Sequence, residues 1–203
     1  IEEINKQKNT FYTGLKSIKF KNKLYVEGYF QSEKYFVEHI SDLRKEFTIK
    51  SKYSNNNCKY IDLLKKTNSI SIAVRQNRYS EGKFTNDPKS KAFTESTINY
   101  ILHSVQYFKS KITNPKFFVW ADDFNGLENF FNKNDFVFIQ NNNNKTIDDF
   151  NLFQYSKHFI VGPTPFHWWG AWLNNNSKKI CVRPGSINPS NNVDFWPNKW
   201  IPI

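Results

Sequence analysis

The 203 residues carry 29 Lys and Arg against 18 Asp and Glu, a net charge of +11, and 18% of them are aromatic. That aromatic content excludes a disordered chain, and the length is enough to bury a substantial core in one large or two small domains. The two cysteines fit no CxxC or other metal spacing, no apolar run reaches a membrane-spanning length, and neither GxGxxG nor GxxxxGK[ST] occurs.

The charge asks for an acidic partner: nucleic acid, an anionic membrane face or a phosphorylated small molecule. It is spread along the chain with no Arg-rich arm and no zinc-finger spacing, which sets nucleic acid aside. The cysteines read as reduced thiols, so the expected location is the cytoplasm, with peripheral contact at a membrane allowed. No methionine occurs, so residue 1 is not expected to be a natural start, and the chain reads as a processed or excised portion.

In chain order, residues 24–30 read as an extended segment. Ser32 caps an expected helix over 33–47, with Tyr35, Phe36, His39, Ile40 and Leu43 on one face. Residues 51–59 are polar and Asn-rich, a loop, and a short helix follows over 60–66. Residues 69–74 alternate and then run apolar, as a buried strand does. A polar loop over 76–90 leads to Ile98, Ile101, Leu102, Val105 and Phe108, which sit at helical spacing until Asn114-Pro115. Next come a strand over 116–121, a helix near 124–132, a strand over 136–140, an Asn-rich turn and a helix over 146–157. A short strand at 159–161 ends at Gly162-Pro163. Thr164 then fits a helix N-cap and Pro165 the first helical position. The helix runs to Leu173 and carries Trp168, Trp169 and Trp172, read as core. A last strand covers 178–183.

From residue 69 onward strands and helices alternate. This specifies an α/β fold, a Rossmann-like parallel sheet flanked by helices, with ligands outside the carboxyl ends of its strands. Residues 67–203 form the expected Rossmann-like domain. Residues 1–66 belong to the remainder of an amino-terminal half and a connector.

Candidate functional residues follow strand ends: Arg75, then Asp122 and Asp123, then Thr164, while Asp148 and Asp149 open the intervening helix. At the turn before the Trp-rich helix, free backbone N–H groups and the positive helix end meet at one spot. Pro165 has no donor, so the amides of Phe166 and His167 and the Thr164 hydroxyl are left to hold a phosphate. An arginine beside such a turn suits a diphosphate, because a guanidinium grips two oxygens while amides hold a third. Each residue also has a plainer reading: a surface charge for Arg75, helix caps for the aspartates, core for the tryptophans.

Phe166-His-Trp-Trp-Gly-Ala-Trp-Leu173 resembles the SFSWWGAWL signature of the family 11 α-1,2-fucosyltransferases. Glu27-Gly-Tyr-Phe-Gln-Ser-Glu-Lys-Tyr-Phe36 is similar to that family's DGYFQSEKYF segment. Phe117-Phe-Val-Trp-Ala-Asp-Asp123 is similar to FFVFSDD, and Asp149-Phe-Asn-Leu-Phe153 to DLxLM. The four lie in the family's order.

The resemblance implies the carboxyl half of a GT-B-type glycosyltransferase that moves fucose from GDP-fucose to a glycan hydroxyl, in α-1,2 linkage with inversion. It implies no cofactor and no metal, and the absence of an Asp-x-Asp triplet agrees. The implied partners are a GDP-sugar donor and a glycan or lipid-linked oligosaccharide acceptor, with residues 1–66 facing the acceptor. The phosphate-binding arginine of the family's H-x-R element falls on Arg75, the guanine-binding aspartate on Asp149, and the diphosphate turn on Thr164, Pro165, Phe166 and His167. Asp123, after the end of its strand, is counted on the donor side as well. Glu81, in the loop after Arg75, is the candidate to take the acceptor proton.

The chain also departs from the family pattern. HIRRGDY becomes Ala73-Val-Arg-Gln-Asn-Arg-Tyr79, so the His, the second Arg and the Asp are replaced by Ala73, Gln76 and Arg78. The ANSSFSWWG turn becomes Gly162-Pro-Thr-Pro-Phe-His-Trp-Trp-Gly170, and the amino-terminal GLGNQMFQYA segment does not occur. An inactive or donor-switched relative that binds nucleotide or glycan without fucosyl transfer is the alternative.

Overall fold

The structure is a computed structural model and describes residues 11–47, 55–76, 87–140, 146–188 and 191–203. Its helices are α1 (Ile40–Glu46), α2 (Asn55–Lys66), α3 (Pro88–Lys111), α4 (Thr146–Phe153) and α5 (Pro165–Leu173). Its strands are β1 (Asn68–Val74), β2 (Pro115–Ala121), β3 (Phe136–Phe138), β4 (His158–Ile160), β5 (Cys181–Arg183) and β6 (Ile201–Pro202). All pair in parallel, in the order β3-β2-β1-β4-β5-β6. The chain winds outward from β1 to β3, then returns to the other side of β1, so the order reverses between β1 and β4. This is the doubly wound, Rossmann-like arrangement that the alternation of elements specifies.

The period of two along the central strands builds two cores. Ile70, Ile72 and Val74 of β1, with Phe117 and Val119 of β2, face Ile98, Ile101, Val105 and Phe108 of α3. Ala73, Phe118 and Trp120 face the other way, onto a layer that contains Ile61 and Leu64 of α2, Phe153 of α4 and Trp168 and Trp172 of α5. Two serines of β1 point into that second core and are fully satisfied there, as buried hydroxyls must be. Ser71 Oγ lies 2.6 Å from Ser156 Oγ and accepts the Trp120 indole N–H at 2.8 Å. Ser69 Oγ donates to the Leu64 carbonyl at 2.7 Å and accepts the Lys157 N–H at 3.0 Å. On the opposite side, the Tyr100 hydroxyl of α3 meets the carbonyls of Val161 (3.2 Å) and Val182 (2.9 Å), tying β4 and β5 to the helix.

Helix α5 is buried on most of its surface. The Trp168 and Trp172 rings stack at 5.8 Å, and Trp169 stacks between Phe36 (4.9 Å) and Phe47 (5.8 Å). The Trp168 N–H donates to the Phe195 carbonyl and the Trp172 N–H to Glu33 Oε2, both at 2.9 Å. Two cations answer the carbonyls at its carboxyl end. Arg44 donates to the carbonyls of Trp172, Leu173 and Asn174, and Lys179 Nζ to those of Ala171, Trp172 and Asn174. Burial lowers the Lys179 ammonium to about 8. Next to it in β5, burial pushes the Cys181 thiol up to about 12, whereas Cys58 of α2 is exposed.

Several elements differ from the sequence reading. Residues 33–47 do not form one helix: two 3-10 turns, Glu33–Tyr35 and Val37–His39, precede α1, separated by Phe36 at φ −144°. The break turns the Phe36 ring onto Trp168, Trp169 and Trp172. Residues 24–30 form no strand, and Tyr25 and Tyr29 are exposed. Residues 55–59, read as loop, already belong to α2, and Asp87 caps α3 by accepting the Ser90 N–H at 3.0 Å, well before its apolar stripe begins at Ile98. Around residue 124 the chain makes only the 3-10 turn Leu127–Asn129, entered through Gly126 at φ 77°. Helix α4 stops at Phe153, and beyond it the Asn174 amide donates to the carbonyls of Gln154 (2.6 Å) and Ser156 (2.9 Å). The edge strand β6 has no counterpart in the sequence reading. Among the described residues no helix is long and apolar enough to cross a membrane.

Gly170 is where α5 meets α4: a Cβ built there would lie 2.7 Å from Cδ1 of the fully buried Phe153 ring. Alanine is the better helix former by about 1 kcal/mol. Gly170→Ala is nevertheless expected to lower stability by about 1–3 kcal/mol through overpacking, read as an earlier urea midpoint at unchanged slope.

Candidate active site

Above the carboxyl ends of β1 and β4, where the strand order reverses, lies a cavity of about 350 Å³. Val74 and Arg75 line it from β1, Trp120, Ala121 and Asp122 from β2, Thr146 and Asp149 from α4, and Thr164, Phe166 and His167 from the start of α5. A larger hollow of about 870 Å³ lies at the opposite end of the sheet, bordered by Arg44, Lys65, Lys157 and Lys178. Arg44 is already engaged there in capping α5, and α/β sheets place ligands at the carboxyl ends of their strands. The smaller cavity is therefore the candidate.

The exit of β4 runs close against β1. A Cβ at position 162 would stand 3.1 Å from the Ala73 carbonyl oxygen and 3.3 Å from His167 Nδ1, so glycine is what fits. Thr164 then takes the extended N-cap conformation, with Pro165 opening the helix. The Thr164 hydroxyl accepts the His167 backbone N–H at 3.4 Å and lies 2.8 Å from His167 Nδ1. Burial first, and the positive charge of Arg75 second, hold the His167 imidazole down at about 3. It is neutral at physiological pH, and its Nδ1 shares one hydrogen bond with the Thr164 hydroxyl.

This geometry changes what the turn offers to an anion. The His167 amide and the Thr164 hydroxyl, both expected to hold phosphate, are engaged with each other. The Phe166 N–H remains, with no protein acceptor among the described residues, together with the helix dipole and the exposed Arg75.

Arg75, Asp149, Thr164, Phe166 and His167 thus come together as the sequence suggested. Pro165 faces a different cleft. Asp123 is not in the lining: its Oδ1 accepts the Asn125 N–H at 2.9 Å and its carbonyl accepts Gln76 Nε2 at 2.8 Å. Its neighbour Asp122 takes the place at the rim. Gln76 ties the exit of β1 to the loop after β2, also reaching the Asn125 carbonyl at 3.1 Å. Glu81 and Arg78 lie outside the described residues. Trp120, Ile139 and Thr146 were not singled out by the sequence reading. Their positions at the ends of β2 and β3 and the start of α4 become a site only once the strand order is known. Among the described residues no three His, Cys, Asp or Glu side chains gather as cation ligands.

The profile of Glycosyl transferase family 11 matches residues 6–194. The chain belongs to this family. Among family 11 relatives, an alpha-1,2-colitosyltransferase of Escherichia coli is 31% identical over 87% of this chain and 61% of its own length. The Escherichia coli O-antigen biosynthesis glycosyltransferase WbnK is 27% identical over 93% of this chain and 65% of its own length. This family 11 chain thus spans less than two thirds of either relative, and no solved structure matches it significantly.

The neutral, buried His167 gives a pH signature. The unfolded chain takes up a proton below about pH 6.5 that the folded chain refuses until about pH 3. Stability therefore falls as pH drops through this window, by up to about 1.4 kcal/mol per pH unit from this one group. His167→Asn, whose amide can still pair with the Thr164 hydroxyl, is expected to show a shallower fall of Tm between pH 6.5 and 4, with His158, lowered by burial and Lys157, acting in the same direction.

Proposed function

We propose that the chain is the donor-binding part of a glycosyltransferase that moves a 6-deoxyhexose from a GDP-activated donor to a hydroxyl of a glycan or lipid-linked oligosaccharide. Fucose from GDP-fucose, in α-1,2 linkage with inversion, is the leading reading, with no metal taking part. The observation that carries it is the meeting of Arg75 and the unpaired Phe166 N–H at the start of α5, over the reversal of strand order, in a member of family 11. The guanidinium and the helix end hold the diphosphate. Asp149, across the same cavity, matches the paired N1–H and N2–H donors of guanine.

The acceptor oxygen attacks C1 of the donor sugar from the face opposite the diphosphate. The C1–O bond breaks, and its electron pair leaves with the β-phosphate. The positive groups fixed around that phosphate stabilise the charge it gains, a contribution of about 3–4 kcal/mol for a single well-placed donor. The acceptor proton passes to a carboxylate or a water, and Glu81 is the residue proposed for it. We place the reaction at the cytoplasmic side, with peripheral contact at the membrane.

One observation favours a second donor. A relative 31% identical to this chain is named for transfer of colitose, which is fucose without its 3-hydroxyl. The family's second Arg is replaced here by the neutral Gln76, whose amide is held by the carbonyls of Asp123 and Asn125, so one positive charge fewer stands beside the phosphate clamp.

Calorimetric titration with GDP, GDP-fucose and ADP-ribose tests the reading, and binding of the guanine ligands alone is the expected result. Arg75→Ala is expected to weaken GDP by about ten- to a hundredfold, the loss of a charged hydrogen-bonding group. The side chain is exposed, so Tm is expected to stay unchanged. Undiminished GDP affinity in Arg75→Ala would reject the site.

A further inference from the structure

The first turn of α5 has a second working face. Thr164, Phe166 and His167 look into the cavity described above, whereas Pro165, Trp168 and Trp169, at i, i+3 and i+4, line a separate cleft of about 60 Å³. Its other walls include Phe30, Gln31, Phe36 and Phe195. No charged side chain is among its walls, in contrast to the donor cavity with Arg75 and Asp149.

One buried polar atom in this aromatic cleft is unanswered by the protein. The amide oxygen of Gln31 is buried with no hydrogen-bond partner. The residue itself is held in place, since its carbonyl accepts Asn192 Nδ2 at 2.9 Å. The indole N–H groups of Trp168 and Trp172 donate within the protein, whereas that of the half-buried Trp169 has no protein acceptor among the described residues. Folded proteins leave few buried polar atoms unsatisfied, and those that remain call for an explanation.

We propose that this cleft is the subsite for the acceptor sugar, a neutral hexopyranose, with Gln31 accepting one of its hydroxyl protons and the Trp169 N–H donating to a neighbouring oxygen. The assignment rests on the glycosyltransferase reading above and adds where the second substrate lies. A pyranose has an apolar C–H face suited to aromatic walls and an edge of hydroxyls that both donate and accept. A hollow of this size, about the share of two waters in the liquid, takes the edge of the ring and leaves the rest at the mouth. The first turn of α5 borders both spaces, Pro165 lining the cleft and Phe166 the donor cavity, so a sugar on the donor and a sugar in the cleft are brought to the same end of the helix.

The test is saturation-transfer NMR on the 203-residue chain with methyl β-galactopyranoside and methyl β-glucopyranoside, beside GDP calorimetry and thermal melting. The unmodified chain is expected to saturate ring protons of at least one glycoside. Gln31→Leu is expected to cut that signal about five- to tenfold, the effect of one lost hydrogen bond. Because it removes an unsatisfied buried atom, the same variant is expected to melt no earlier and to bind GDP unchanged. Trp169→Phe keeps the ring stack, and a partial loss of glycoside signal is expected. No saturation of either glycoside by the unmodified chain overturns the proposal, as does an undiminished signal in Gln31→Leu. A Gln31→Leu chain that melts earlier makes the amide structural and overturns it too. Glycoside binding without GDP binding strikes the donor reading and leaves the cleft a sugar site.

Discussion

A nine-residue helix buried on most of its surface must have the polar groups at both ends answered from outside itself, and α5 is such a helix. At the amino end the Thr164 hydroxyl takes the His167 N–H, and the Thr164 carbonyl takes the Trp168 N–H at 3.0 Å. At the carboxyl end Arg44 and Lys179 share the carbonyls of residues 171–174. The rest of the architecture follows from these ties. Arg44 fixes α1 against α5, Lys179 fixes the approach to β5, and the amino-terminal cap sets which backbone donor is left for a ligand.

The same ties account for part of the basic charge. A net +11 suggests an acidic partner, yet two of the cations closest to the core serve the helix's own negative end. Lys179 remains there although burial lowers its basicity to about 8, since three carbonyls surround its ammonium group. The charge that bears on the candidate site is chiefly Arg75. Burial, with the Arg75 charge adding to it, keeps His167 neutral, so the guanidinium faces an incoming anion without a second cation beside it.

The sheet was legible in the sequence because its strands obey simple rules. A period of two in β1 and β2, a capping threonine and a proline at the first helical position are local signals, and local signals survive into the fold. The helix read over residues 33–47 failed because the pull on Phe36 comes from three tryptophans more than a hundred residues away. The two-residue strand β6 is too short to carry a pattern. At the site, Arg75, Asp149 and the turn were found from their places after strands or at a helix start. Asp122 and Asp123 are adjacent, and only the Asx turn to Asn125 decides which of them faces the cavity. The loss of the Thr164 hydroxyl as a phosphate ligand was readable in principle. Threonine at the N-cap and histidine three residues on have the spacing of a capping box, with an imidazole where Glu or Gln is usual.

Cys181 sits in β5, between the sheet's interior and its short outer strand, with its thiol held protonated to about pH 12. The thiolate is the reactive form, so this sulfur is chemically silent while the sheet is closed. Cys58 lies exposed on α2. The chain therefore carries one thiol open to a reagent and a second closed off by the sheet. The second is modified only when the edge of the sheet opens, and the lag between the two is a built-in clock for how often β5 lets go of β4.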